Sequence, residues 1–160
     1  MDTPDQDTEA AAYDQALKLL VRREHSRREL GHKLDERGHS RAATEAALDR
    51  LESENALNDA RFAEEYARAR FAKGFGPLRV EAELREHAVD AAGLAEARLS
   101  GEAECELAAA QLTKRFGTGE PADFKERTKR MRYLQQRGFA PEVCARVVKA
   151  GGNPEGPERL

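Results

Sequence analysis

Apolar residues recur along this chain at intervals of three and four, and no stretch alternates apolar with polar residues at the period of a strand. Tyr13, Ala16, Leu17, Leu20 and Val21 predict a first helix from about Thr8 to Glu24. Ser26 and Glu29 form a capping box ahead of Leu30 and Leu34, and Gly38 is placed to close that second helix in a left-handed turn. Ser40 caps a third helix carrying Ala43, Ala47, Leu48 and Leu51. Three helices joined by tight turns make a first module, over residues 10–57.

The same grammar runs on. Asn58 or Asp59 caps a helix with Phe62, Tyr66 and Ala69, and Gly74-Phe75-Gly76-Pro77 breaks into a helix bearing Val80 and Leu84. An alanine-rich helix from about Ala91 to Leu99, weakened by Gly93, completes a second module over 58–101. Leu107, Ala108, Leu112 and Phe116 open a third, over 102–150. In it Asp123 with Glu126 repeats the capping logic, Gly138 closes a helix, and Pro141 starts the last, with Val143, Val147 and Val148. Residues 1–9 are expected to be a disordered acidic lead-in and 151–160 a disordered tail. Shifting the chain by fifty places Leu30 and Leu34 on Val80 and Leu84; shifting by one hundred places Leu34, Arg37 and Gly38 on Leu134, Arg137 and Gly138. Leu30 falls on Arg130 and Gly38 on Ala88, so the copies are imperfect. An all-α chain of three repeated units is the simplest account.

Composition supports thin modules over one deep core: 36% of the 160 residues are charged, 39% are hydrophobic, and Trp is absent. A net charge of −3 argues against a non-specific polyanion binder, but the charge is uneven. Ten basic residues lie between Lys114 and Lys149 against four acids, whereas Asp2, Asp5, Asp7 and Glu9 stand without a cation up to Tyr13. Two distant cysteines, Cys105 and Cys144, make neither a disulfide framework nor a zinc site. With no signal peptide and no apolar run of membrane-spanning length, a cytoplasmic setting away from membranes is expected.

Catalytic chemistry has no candidate. Gly74-Phe75-Gly76 is no dinucleotide fingerprint, because Arg79 stands where its third glycine belongs and no strand precedes it. His25, His32 and His39, spaced by seven, are read as surface or capping histidines, since no one rigid face holds all three. No metal, cofactor or enzymatic activity is expected. The informative surface is the helix Asp123–Arg137. There Phe124, Met131 and Leu134 define an expected buried side, and Lys125, Lys129, Arg132 and Gln136 form an outward stripe flanked by Arg130 and Arg137. That stripe suits an acidic surface, protein or phosphate. Arg68, Arg70, Lys73, Arg79 and Arg85, interleaved with acids, suit charge-paired protein contact, and Arg22, Arg23, Arg27 and Arg28 form a secondary basic group.

On these residues the chain resembles the RecX recombination regulators from about Ala16 to Ala150. The first module matches in A-L-K-L-L-V-R-R-E-H-S-R-R-E-L-G-H-K-L-D-E-R-G, Ala16 to Gly38. The second matches in Leu57-Asn58-Asp59, Arg61-Phe62-Ala63, Tyr66, Arg70, Gly74, Gly76-Pro77, Arg79-Val80 and Glu83-Leu84. The third matches in Lys114-Arg115-Phe116, Lys125, Arg137-Gly138-Phe139 and Val143. The resemblance implies three tandem three-helix repeats in an elongated, curved, monomeric molecule. It also implies binding to RecA and to the RecA–DNA filament, in whose groove family members lodge to restrain recombinase, ATPase and coprotease activity. The chain departs from the family at His87-Ala88-Val89, where a glycine often closes the helix. The competing class is a helical protein that binds DNA directly, and weak DNA contact fits both.

Overall fold

The computed structural model describes residues 8–152. Among them there are nine α-helices and no strand: α1 (Glu9–Arg22), α2 (Arg27–Glu36), α3 (Arg41–Ser53), α4 (Asp59–Ala72), α5 (Pro77–Glu86), α6 (Ala91–Glu96), α7 (Gly101–Phe116), α8 (Phe124–Gln136) and α9 (Pro141–Lys149). Their starts are fixed locally by side chains that accept an otherwise orphaned backbone N–H. Ser26 accepts from Glu29 N at 3.1 Å, Ser40 from Ala43 N at 3.2 Å, and Asp123 from Glu126 N at 2.8 Å. Thr8 and Ser100 do the same for α1 and α7. Ala140 has no side chain to offer α9; its own N–H is taken by the buried Glu104 of α7 at 3.0 Å.

The fifty-residue period has a structural basis in one repeated turn. His39 N donates to Leu34 O, Val89 N to Leu84 O and Phe139 N to Leu134 O, each at 3.2 Å. One residue earlier, Gly38, Ala88 and Gly138 donate to Asp35 O, Arg85 O and Gln135 O. This paired 6→1 and 5→2 bonding is the Schellman closure, and it needs a left-handed residue at its bend. Gly38, Ala88 and Gly138 have φ of 86°, 58° and 99°. In every copy the leucine that accepts the longer bond and the residue after the bend are buried. Ala88 therefore serves where its counterparts are glycine, and the departure at that position changes strain, not topology.

The chain divides into two compact units whose boundaries fall inside α4 and α5. The first comprises the chain through Glu65 together with Leu84–Glu96. Its core is Ala16, Leu30, Leu34, Leu48, Leu51 and Leu57, with Ala12, Ala43 and Ala47 forming a small patch beside it. The second comprises Tyr66–Glu83 and the chain from Ala97 onward, built on Leu112, Leu134, Phe139, Val147 and Val148 with the free, buried Cys105 and Cys144.

Several expectations change in three dimensions. The helix expected over Ala91–Leu99 ends at Glu96, and Gly93 is buried against Val89 and Ala60, where a β-carbon would have no room. Of the acidic lead-in expected over 1–9, Thr8 caps α1 and Glu9 belongs to it; residues 1–7 lie outside the described residues. Gly151 and Gly152, expected to open a tail, are held in the fold: Gly151 is buried and its carbonyl accepts from Gly119 N at 3.1 Å, while Gly152 N returns to Val147 O. Residues 153–160 lie outside the described residues. No helix of the described residues is long and apolar enough to cross a membrane.

Candidate partner-binding surfaces

Three basic groups meet different fates, and local neighbours decide each. In the second unit the α4–α5 turn presents Phe75, and three guanidinium groups converge on its ring: Arg70 at 4.0 Å, Arg79 at 4.3 Å and Arg137 at 4.6 Å from the centroid. Aromatic faces attract cations, but three of them also repel one another. Glu83 offsets that repulsion by accepting from Arg70 at 2.8 Å, from Arg79 at 3.3 Å and from the Tyr66 hydroxyl. Burial alone would raise the Glu83 pKa, yet the bonds from Arg70, Tyr66 and Arg79 hold it below the ordinary carboxylate value. Arg137 spends its donors on the Gly74 and Lys73 carbonyls, at 3.0 and 2.8 Å, while its own carbonyl accepts from Gly76 N at 2.7 Å. This cluster ties the α4–α5 turn to the α8–α9 turn. Arg70 and Arg79 are thus occupied by Glu83, and Arg137 by backbone carbonyls.

The face of α8 is different. Lys125, Lys129 and Arg132 are exposed, and none is ion-paired with a carboxylate among the described residues. Together with Arg115 and Phe116 at the end of α7 they line a groove of about 600 Å³. Phe116 meets Tyr133 edge to face, with ring centroids 5.5 Å apart.

In the first unit Arg27 bonds Glu45 at 2.7 Å, Asp49 at 2.9 Å and Glu52 at 3.1 Å. Burial opposes its charge, and the three carboxylates outweigh that and push its pKa above the ordinary arginine value. Arg23 pairs with Glu29, whereas Arg22 and Arg28 are exposed. Of the remaining sequence candidates Arg68, Lys73 and Arg85 are exposed, and Arg68 and Arg85 are engaged in interactions of their own.

Comparison with known proteins now adds to this geometry. Three family models match in chain order: the first, second and third three-helix domains of RecX, over residues 12–51, 58–97 and 102–148. The chain belongs to the RecX family. The Regulatory protein RecX of Halorhodospira halophila is 41% identical over 147 residues, covering 91% of each chain. That of Stenotrophomonas maltophilia is 40% identical over 142 residues, 88% of this chain and 87% of the relative. A crystal structure of regulatory protein RecX superposes with a TM-score of 0.73 at 23% identity, over 87% of this chain and 70% of that one. The RecX resemblance read from the motifs and the all-α architecture of three-helix repeats are thus established, and the protein is a regulatory one.

Two residues of α8 stand opposite to the helical-wheel expectation. Phe124, assigned to the buried side, is 82% exposed. Arg130, assigned to the outward flank, is 7% exposed and donates to Gly119 O at 2.7 Å and Glu126 at 3.3 Å. The repeat already held the correction, because position 130 corresponds to Leu30 and Val80, both buried. Two of the three spaced histidines were also misplaced. His25 and His39 are buried, and only His32 is on the surface, beside Glu36 at 3.3 Å. His39 follows the left-handed bend where Val89 and Phe139 stand in the other copies. His25 is bonded within the fold, Nδ1 donating to Arg23 O at 3.0 Å and Nε2 accepting from Lys33 Nζ at 3.0 Å. Among the described residues no group of His, Cys, Asp and Glu is arranged to hold a metal ion.

Proposed function

We propose that this chain is a non-enzymatic regulator that binds RecA and its filament on DNA as a monomer in the cytoplasm. Seated in the filament groove, it restrains recombinase, ATPase and coprotease activity. Membership of a regulatory family supports the general role, and the observation that carries the contact is the row of exposed Lys125, Lys129 and Arg132. Cations without a carboxylate partner keep their attraction for an acidic surface, whereas Arg27 has largely discharged its own on Glu45, Asp49 and Glu52. Arg68, Arg70, Lys73, Arg79 and Arg85 offer a second, more constrained contact. There Arg70 and Arg79 already share Glu83, so a partner carboxylate would have to compete for them. Arg130 and Arg137 act from inside, holding the loop before α8 and the turn after it.

The experiment is RecA ATPase on single-stranded DNA with and without the full chain, repeated with Lys125→Glu, Lys129→Glu and Arg132→Glu combined. Wild-type protein slows hydrolysis; the triple reversal binds filament at least about tenfold more weakly with unchanged helicity, since each reversal replaces attraction by repulsion. A wild-type chain that leaves hydrolysis untouched defeats the proposal. Tight DNA binding without RecA would favour the direct nucleic-acid reading instead.

A further inference from the structure

The groove between the end of α7 and the outer face of α8 lies within the second unit, and it holds more than positive charge. Arg115, Lys125, Lys129 and Arg132 line it and no carboxylate does. Beside them Phe124 projects into solvent. The repeat register explains why: α8 is capped by Asp123, whereas position 126 corresponds to Ser26, the cap of α2. Phe124 therefore belongs to an added stretch of helix for which the three-helix unit has no core position. A partner that covers this groove would bury a large apolar side chain and meet cations that no carboxylate neutralises.

The other aromatic rings here are already engaged. Lys129, Arg130 and Arg115 lie over the Phe116 ring at 5.9, 5.5 and 5.7 Å, and Tyr133 is held by Phe116 on one side and by Arg137 at 5.8 Å. Single-stranded nucleic acid is gripped by successive bases on successive open rings. This surface offers Phe124 alone, at the side of a groove of about 600 Å³ lined by cations and no carboxylate. Charge and shape together select a peptide.

We infer that this groove binds an acidic peptide segment, one bulky apolar side chain anchored against Phe124 and flanking carboxylates on Lys125, Lys129 and Arg132. The inference rests on the protein-partner reading above and specifies that partner's chemistry as acids surrounding an apolar anchor. Neither element suffices alone, since an all-acid segment leaves Phe124 in water and an all-apolar one leaves the four cations without a carboxylate.

The test is fluorescence anisotropy of three labelled probes titrated with the full chain. One is a twelve-residue peptide of Asp and Glu around a central Phe-Leu pair, the second has Ser-Ser at that centre, and the third is a twelve-nucleotide oligothymidine. The anchored peptide binds about tenfold or more tighter than its Ser-Ser counterpart, the share expected of one large apolar side chain buried on binding. Phe124→Ser erases that preference and keeps the weaker, charge-driven binding of both peptides; the side chain already stands in solvent, so the variant melts like the wild type. Equal affinity for the two peptides, or a preference that survives Phe124→Ser, overturns the inference. So does oligothymidine that binds tighter than the anchored peptide and loses its affinity with Phe124→Ser. RecA ATPase measured with the same preparations separates the two readings. Inhibition without any peptide preference removes the groove inference alone, whereas peptide preference without inhibition upholds the groove and removes the inhibitory reading.

Discussion

Replacing Ala88 by glycine should stabilise this protein, although it deletes a methyl group and fills nothing. Ala88 sits at φ 58°, in the bend that Gly38 and Gly138 occupy in the other two copies. A left-handed conformation costs an L-residue about 1–2 kcal/mol, because its β-carbon crowds the neighbouring carbonyl. Ala88 is exposed, so removal of the methyl loses little packing. Glycine adds freedom to the unfolded chain, which takes back about 0.4–1 kcal/mol. The balance is a gain of about 0.5–1 kcal/mol, worth roughly 2–4 °C per kcal/mol for a chain of this size. The reverse changes should be graded. Gly38→Ala, also exposed, costs about 1 kcal/mol from backbone strain alone. Gly138→Ala must in addition place a β-carbon 2.3 Å from Arg79 Cβ and 2.7 Å from Arg79 N, with backbone unable to move aside cheaply, for a total of about 3 kcal/mol or more. Urea unfolding followed by far-ultraviolet circular dichroism measures all three. The reasoning fails if Ala88→Gly lowers the midpoint, or if Gly138→Ala costs no more than Gly38→Ala.

Further consequences follow from single contacts. Arg137→Ala gives up bonds to two carbonyls and a stacked ring, so it should lower stability by about 2–4 kcal/mol, while Arg137→Lys, unable to span both carbonyls, should recover at most about half; a urea midpoint like that of a surface substitution would refute this. Glu104→Ala should cost about 1–3 kcal/mol by orphaning the Ala140 N–H, and Glu104→Gln, which keeps an acceptor, clearly less; equal thermal shifts for the two would count against a capping role. Burial lowers the His25 pKa below its ordinary value, against a smaller opposing effect of its bond to Arg23. A lowered folded-state pKa means that its stabilising contribution is complete above the unfolded value of about 6.5 and is lost as pH falls toward the folded one. Chemical unfolding between about pH 7.5 and 5.5 should show that decline, and His25→Gln should flatten it, with Arg23, Glu29 and Lys33 as the charged groups facing the ring. The Cys144 thiol, pushed up to about 11 chiefly by burial, should react with a thiol reagent at neutral pH only as fast as the protein opens; immediate labelling of the folded chain would contradict its burial.

Much of the fold was legible in the chain because the interactions that encode it span five residues or fewer. Ser26, Ser40 and Asp123 announce helix starts by bonding an N–H three residues on, and Leu34 with Gly38 announces a helix end. Repetition at fifty residues converted those local signals into an architecture. The outward stripe of Lys125, Lys129 and Arg132 was legible for the same reason, since one helix alone sets their common direction.

Tertiary structure decided what each direction faces. A helical wheel has no knowledge of the neighbouring helix, so it placed Phe124 inward and Arg130 outward, whereas packing leaves Phe124 in an added turn and seals Arg130 over the Gly119 carbonyl. Likewise Arg137 reads as one more surface cation until the fold brings Gly74 O, 63 residues away, within 3.0 Å of its Nε. A side chain's periodicity is written within one turn of helix, but its burial and its partner depend on segments that meet only when the chain closes on itself.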